Sequence, residues 1–135
     1  VDDVEQFLKV ISQRMEVRGL KVDTSTSGEE ALKKVKGKEF DAIVLDLAMP
    51  GMSGMEALKR IRSENPDVQI IMLTGHGSVE TSVEALKAGA VDFLEKPADL
   101  NKIMAKIAEA KHKKILLVEK KAEEHVKEIL TSKGW

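Results

Sequence analysis

Three apolar runs in this chain each end on a residue that can do chemistry. Ala42 to Leu45 runs into Asp46, "IIML" into Thr74, and "DFLE" into Lys96 and Pro97. Near the start, Asp2 and Asp3 stand directly before a helix-like stretch. If the runs are parallel strands, their carboxyl ends gather three carboxylates, a hydroxyl and an ammonium. Clustered carboxylates repel one another and need a cation. With no cysteine and no obvious histidine pair, hard oxygen ligands favour Mg²⁺ over zinc or copper. Mg²⁺ leaves positions open for phosphate oxygens, and a lysine can neutralise a phosphoryl group as a point charge. A carboxylate can itself be the nucleophile and become an acyl phosphate. The set reads as phosphoryl transfer to an aspartate, assisted by a metal and Lys96.

The elements that must position these groups follow from the spacing of apolar residues. Helical periodicity marks about Glu5 to Val17, Gly28 to Lys36, Gly54 to Ser63, Val79 to Ala88 and Leu100 to Ala110. Ser27-x-x-Glu30 and Ser53-x-x-Glu56 have the pattern of capping boxes, Asp99 suits an N-cap, and Gly19 and Gly89 suit helix ends. Between the helices lie short apolar runs at Lys21–Thr24, Ala42–Leu45, Val68–Leu73 and Val91–Leu94. The second and third are almost continuously apolar, as a strand covered on both faces requires. Alternating strands and helices predict a doubly wound α/β fold with a parallel sheet, whose site lies at the carboxyl ends of the strands.

Composition narrows the function. A chain of 135 residues with 42% apolar and 33% charged residues supports one domain with a single core. A net charge of −1 gives no basic footprint for nucleic acid, and 3% aromatics give few stacking platforms. No run approaches the ~20 apolar residues of a membrane span, and "VDDVEQ" is acidic where a signal peptide is basic. The absence of cysteine fits a reducing cytoplasm.

"VDD" before a helix, "IVLDLAMPGMSG", "IIMLTGHGS" and "AGAVDFLEKP" resemble, in order and spacing, the receiver domain of bacterial two-component response regulators, including the chemotaxis regulators. The resemblance covers about residues 1–110 and leaves 111–135 as a C-terminal tail. It implies a flavodoxin-like sheet of five strands with helices on both faces. It implies that Asp46 is the phosphoacceptor, that Asp2 and Asp3 hold Mg²⁺, and that the backbone carbonyl of Ala48 is a further metal ligand. Thr74 would hydrogen-bond the phosphoryl group, Lys96 would pair with it ahead of a cis Lys96–Pro97 bond, and Phe93 would be the aromatic switch that turns inward with Thr74. The implied partners are a sensor histidine kinase and a downstream output protein or fused domain, with no direct nucleic-acid or membrane contact. His76 lies where the family varies, beside the pocket entry, and reads first as a loop histidine.

The chain departs from the family in two places. Ser53 stands where many members have Asp, and serine caps a helix equally well. Only Val1 precedes Asp2, where the family has a whole central strand. The tail "KHKKILLVEKKAEEHVKEILTSKGW" then has two readings. One is a Lys/Glu-rich helix with a heptad-like seam of Ile115, Val118, Ala122 and Ile129. In the other, Ile115–Val118 fills the place of the first strand, within the chain or by strand exchange in a homodimer, with a helix from about Ala122 to Ser132 behind it.

Three functions fit these residues. A phosphoaspartate switch would change partner affinity on a face formed by about Val79 to Ala110, catalysing only its own phosphoryl transfer and dephosphorylation. A phosphatase of the haloacid-dehalogenase type needs a second acid two residues after the nucleophile, where this chain has Ala48. A phosphorylation-independent interaction or dimerisation module is the third.

Overall fold

The structure, a computed structural model, describes residues 1–132. Its elements in order are α1 (Glu5–Val17), α2 (Gly28–Gly37), β1 (Ile43–Leu45), α3 (Gly54–Glu64), β2 (Ile70–Thr74), α4 (Val79–Lys87), β3 (Asp92–Glu95) and α5 (Leu100–Ser132). The helix starts are set by side chains that satisfy otherwise orphaned amides. Ser27 accepts from the Glu30 amide and Ser53 from the Glu56 amide, and Asp99 accepts from the Asn101 amide at 2.9 Å. The complete reciprocal capping box is at Ser78 and Thr81, where it starts α4. Gly19 and Gly89 both adopt positive φ, as expected at the ends of α1 and α4.

The strands form a parallel sheet in the order β1-β2-β3, with Ile43 opposite Ile70 and Ile71 opposite Asp92. Every residue of β2 is buried, so its continuous apolar sequence reflects cover on both faces. Side chains alternate across it. Ile70 and Met72 pack with Leu58 and Ile61 of α3 and Ala85 of α4, with Leu32 and Val35 of α2 at the margin. Ile71 and Leu73 pack on the opposite face with Met15 of α1 and Ile103 of α5. This is the doubly wound α/β fold, three helices on one face and two on the other.

Two details differ from expectation. The sheet has three strands among the described residues, where the resemblance implied five. Lys21–Thr24, expected as a strand, carries no strand ladder. A strand needs a hydrogen-bonded neighbour, and the backbone bond made beside this segment is that of the Asp2 amide to the Ser25 carbonyl at 3.1 Å. Lys34 of α2 steadies the segment from the other side, pairing with Asp23 at 2.9 Å and bonding the Thr24 carbonyl. Val1 holds the position between this segment and β1. Its amine donates to the Val44 carbonyl at 2.6 Å, and its carbonyl accepts from the Asp46 amide at 2.9 Å. That is the bond pattern of a parallel ladder.

The second difference is the tail. Ile115–Val118 does not enter the sheet; it lies within α5, with Ile115, Leu116 and Val118 exposed. From Leu100 to Ser132 the sequence has no glycine or proline, so nothing breaks the helix once Asp99 has started it. Lysines also tie the helix to loops at the amino ends of the strands. Lys114 donates to the Phe40 carbonyl at 2.7 Å, and Lys121 pairs with Asp67 at 2.7 Å. These contacts favour the helical reading of the tail. Among the described residues, no helix is long and apolar enough to cross a membrane.

Lys106 of α5 pairs with Asp92 of β3 at 2.8 Å and with Glu109 at 3.5 Å. Partial burial works to raise the Asp92 pKa, but the Lys106 ammonium and the Phe93 amide outweigh it and hold the carboxyl below its ordinary value. A depressed folded-state pKa gives stability above the unfolded pKa that is lost as pH falls through the folded one. Lys106→Ala should therefore lower the urea midpoint slightly at neutral pH, as expected for a solvent-accessible ion pair. The difference in urea midpoint from the parent chain should shrink on acidification below the carboxylate range.

Candidate functional site

The sheet places its functional side chains by ending strands on them. Asp46 is the first residue past β1, Thr74 the last of β2, and Lys96 the first past β3. Asp2 and Asp3 follow Val1 and precede α1. All therefore lie at the carboxyl edge of the sheet, and the Lys96 amide donates to the Thr74 carbonyl at 2.8 Å to close the β2 and β3 ends together. The Lys96–Pro97 peptide is cis.

Carboxylate oxygens of Asp2, Asp3 and Asp46 lie within 4.8 Å of one another, with Asp2 and Asp46 buried and Asp3 exposed. Their environments differ. Asp2 is fully engaged: Oδ1 accepts from the Val4 amide at 2.9 Å, and Oδ2 pairs with the Lys96 ammonium. Asp46 is not, since its buried Oδ1 has no hydrogen-bond partner among the described residues. A buried anionic oxygen without a donor is costly and calls for a cation or a bound group. Lys96 sits over the Phe7 ring, 4.1 Å from its centroid, so α1 holds the ammonium from below.

Thr74 is fully buried, and its Oγ1 accepts from the His76 amide at 3.1 Å. The hydroxyl proton then remains available to a further acceptor. His76 itself is exposed in the loop after β2. Phe93 lies half-buried on β3 against the core. Ala48 is exposed in the loop after Asp46. The structure thus gathers the three acids and Lys96 into one cluster, with Thr74 on the same edge. An oxygen-only donor set of this kind fits a hard divalent ion such as Mg²⁺.

Two contributors were not legible as site residues. The apolar stripe of α1 reads Phe7 as core, and nothing in the spacing shows that its face meets Lys96. Gly54 reads simply as the first residue of a helix. Its amide donates to the Leu47 carbonyl at 2.7 Å, and a Cβ built on it would lie 1.9 Å from the Asp46 carbonyl oxygen. The start of α3 can thus press against the backbone of Asp46 only without a side chain. Gly54→Ala should destabilise the chain by about 3 kcal/mol or more, because the clash is with backbone that cannot rotate away. Urea unfolding measures it, and Ser53→Ala should cost only the cap, about 1 kcal/mol.

Comparison with known proteins agrees with this geometry. Residues 1–108 match the response regulator receiver domain family. The chain is 38% identical over 110 residues to the transcriptional regulatory protein ZraR of Klebsiella oxytoca, covering 82% of this chain and 25% of that protein. It is 39% identical over 105 residues to the acid tolerance regulatory protein ActR of Rhizobium meliloti (strain 1021), covering 78% of this chain and 54% of that one. The chain thus spans a quarter to about half the length of these curated relatives. Among solved structures, a receiver domain from Clostridium thermocellum superposes with a TM-score of 0.82 at 33% identity, over 86% of this chain and 94% of that one. A response regulator from Burkholderia pseudomallei, solved with a phosphorylated aspartic acid, a calcium ion and citrate, gives 0.75 at 30% identity, over 98% and 82%. With strand ends, acid cluster and sequence in agreement, the chain belongs to the response regulator receiver family of two-component signalling.

Proposed function

We propose that the chain is a phosphorylation-dependent switch whose phosphoacceptor is Asp46. The buried Oδ1 of Asp46, without a hydrogen-bond partner among the described residues, carries this reading. A side-chain oxygen of Asp46 attacks the phosphorus of a phosphohistidine on a sensor kinase; the P–N bond breaks and the imidazole leaves with its electron pair. The product is an acyl phosphate on Asp46. Water attack at phosphorus returns the carboxylate and inorganic phosphate, which is the chain's own dephosphorylation.

Asp2, Asp3, Asp46 and the Ala48 carbonyl would hold Mg²⁺, which supplies charge neutralisation for the phosphoryl oxygens. Lys96, now engaged by Asp2, would transfer part of its pairing to the phosphoryl group, and the Thr74 hydroxyl would donate to it. Phe93 would follow Thr74 inward. The face read by partners would be α4, β3 and the first part of α5, where Val79, Val83 and Leu86 are exposed on α4. The receiver would span 1–110, and 111–135 would be a tail leading to an output protein or fused domain, with residues 133–135 lying outside the described structure.

A second reading, a phosphorylation-independent interaction module, is favoured by one observation: the Lys96 ammonium is already paired with Asp2. One experiment decides between them. With Mg²⁺ and acetyl phosphate, intact mass should show one added phosphoryl group, absent in Asp46→Asn and absent with excess chelator. An unchanged mass at every donor concentration would leave the interaction module as the better account. A second measurement tests the roles within the pocket. Thr74→Ala should still accept the phosphoryl group, whereas Lys96→Ala should accept it about tenfold more slowly, in line with the loss of one charge-assisted contact.

A further inference from the structure

The loop that follows Asp46, residues 47–53, has few bonds to hold it. At its ends, Leu47 accepts from the Gly54 amide and Ser53 caps α3. Between them, the one amide with a recorded partner among the described residues is that of Met52, and its acceptor is distant in sequence: Glu29 Oε1 at 3.0 Å. Two glycines make this approach possible. Gly51 has φ +74°, and a Cβ there would lie 3.1 Å from the same Glu29 oxygen. Gly28, at the start of α2, lets the buried Met52 side chain lie where a Cβ would meet Sδ at 3.1 Å.

We infer that Glu29 is a positioning residue for the phosphoacceptor loop, latching it to the amino end of α2 and so fixing Ala48 relative to the acids. This rests on the reading of Asp46 given above. Glu29 is exposed and touches neither the acids nor Lys96, so it acts through Met52. The stretch Ser25–Glu29 holds both sides of the site. The Ser25 carbonyl takes the Asp2 amide at 3.1 Å, and the Glu29 carboxylate takes the Met52 amide. The acid pair and the loop are thereby braced against one short segment. Its own backbone amide, then that of Met52, holds the Glu29 carboxyl below its ordinary range, so the acceptor is ionised at neutral pH. A charge-assisted bond of this kind is stronger than a neutral one.

The test uses the full chain and two variants, Glu29→Ala and Glu29→Gln. Glutamine keeps an oxygen that can accept from Met52; alanine does not. Amide exchange followed by NMR, Mg²⁺ titration and phosphorylation by acetyl phosphate supply three readouts. Glu29→Ala should exchange the Met52 amide about tenfold faster, weaken Mg²⁺ binding about fivefold and slow phosphorylation to a similar degree, with amides of β2 unchanged. Glu29→Gln should restore most of all three. Unchanged Met52 exchange in Glu29→Ala overturns the latch even if the parent phosphorylates normally. Faster exchange with unaltered Mg²⁺ affinity overturns the positioning role and leaves a plain loop contact. If the parent takes no phosphoryl group, the reading of Asp46 fails, and Met52 exchange with Mg²⁺ affinity still decides the latch.

Discussion

Three carboxylates held within 4.8 Å of one another are the constraint on which the rest of this molecule turns. Like charges this close repel. A chain free to relax would separate them. Here the backbone denies that freedom: Asp46 is fixed by the end of β1 and by Val1, and Asp2 by Ser25, Val4 and Lys96. The repulsion is stored because the sheet beneath is rigid. Its central strand is buried along its whole length, and its neighbours are locked to it residue by residue. A site that concentrates negative charge is ready for a divalent cation and for a group that arrives with it.

The inequality among the acids is as informative as their closeness. Asp2 spends its two oxygens on Val4 and Lys96, Asp3 faces solvent, and Asp46 keeps a buried oxygen unpaired among the described residues. Three chemically identical groups thus differ in what they can do next. Asp2 is a structural and charge-balancing acid in this state, while Asp46 has acceptor capacity in reserve. Lys96 links them, since any anion placed near Asp46 competes with Asp2 for the same ammonium. The Phe7 ring beneath that ammonium keeps it at the site whichever partner holds it.

Much of this was legible from sequence, and the reason is physical. An apolar run that must stop at a sheet edge reveals its terminal residue by contrast, which is why Asp46, Thr74 and Lys96 stood out. Caps are similarly local, so Ser27, Ser53 and Asp99 were readable from a few neighbours. What sequence did not show was pairing at a distance. Lys21–Thr24 has strand composition, but a strand exists only with a bonded neighbour, and composition does not say whether one pairs with it. Ile115–Val118 has the apolar content of a strand too, yet it sits inside an unbroken helical stretch that lysines fasten to Phe40 and Asp67. Phe7, Gly54 and Glu29 act on the site through folds of the chain that no periodicity encodes.

The site and the tail occupy opposite ends of the sheet, and β3 with α5 joins them. β3 meets the site through the Lys96 amide and the Thr74 carbonyl, and meets α5 through Asp92 and Lys106. The 33 residues of α5 make a rod about 50 Å long. Its buried residues, Ile103 and Ala110, lie in the first third, and beyond them Lys114 and Lys121 tie the helix to Phe40 and Asp67. A rod packed over its first third converts a small tilt at the packed end into a larger displacement at the far end. Lys114 and Lys121 oppose such a tilt, because each is anchored to a loop that enters the sheet from below. The two tethers hold the middle of the rod to the loops that feed β1 and β2, at the end of the sheet remote from the acids.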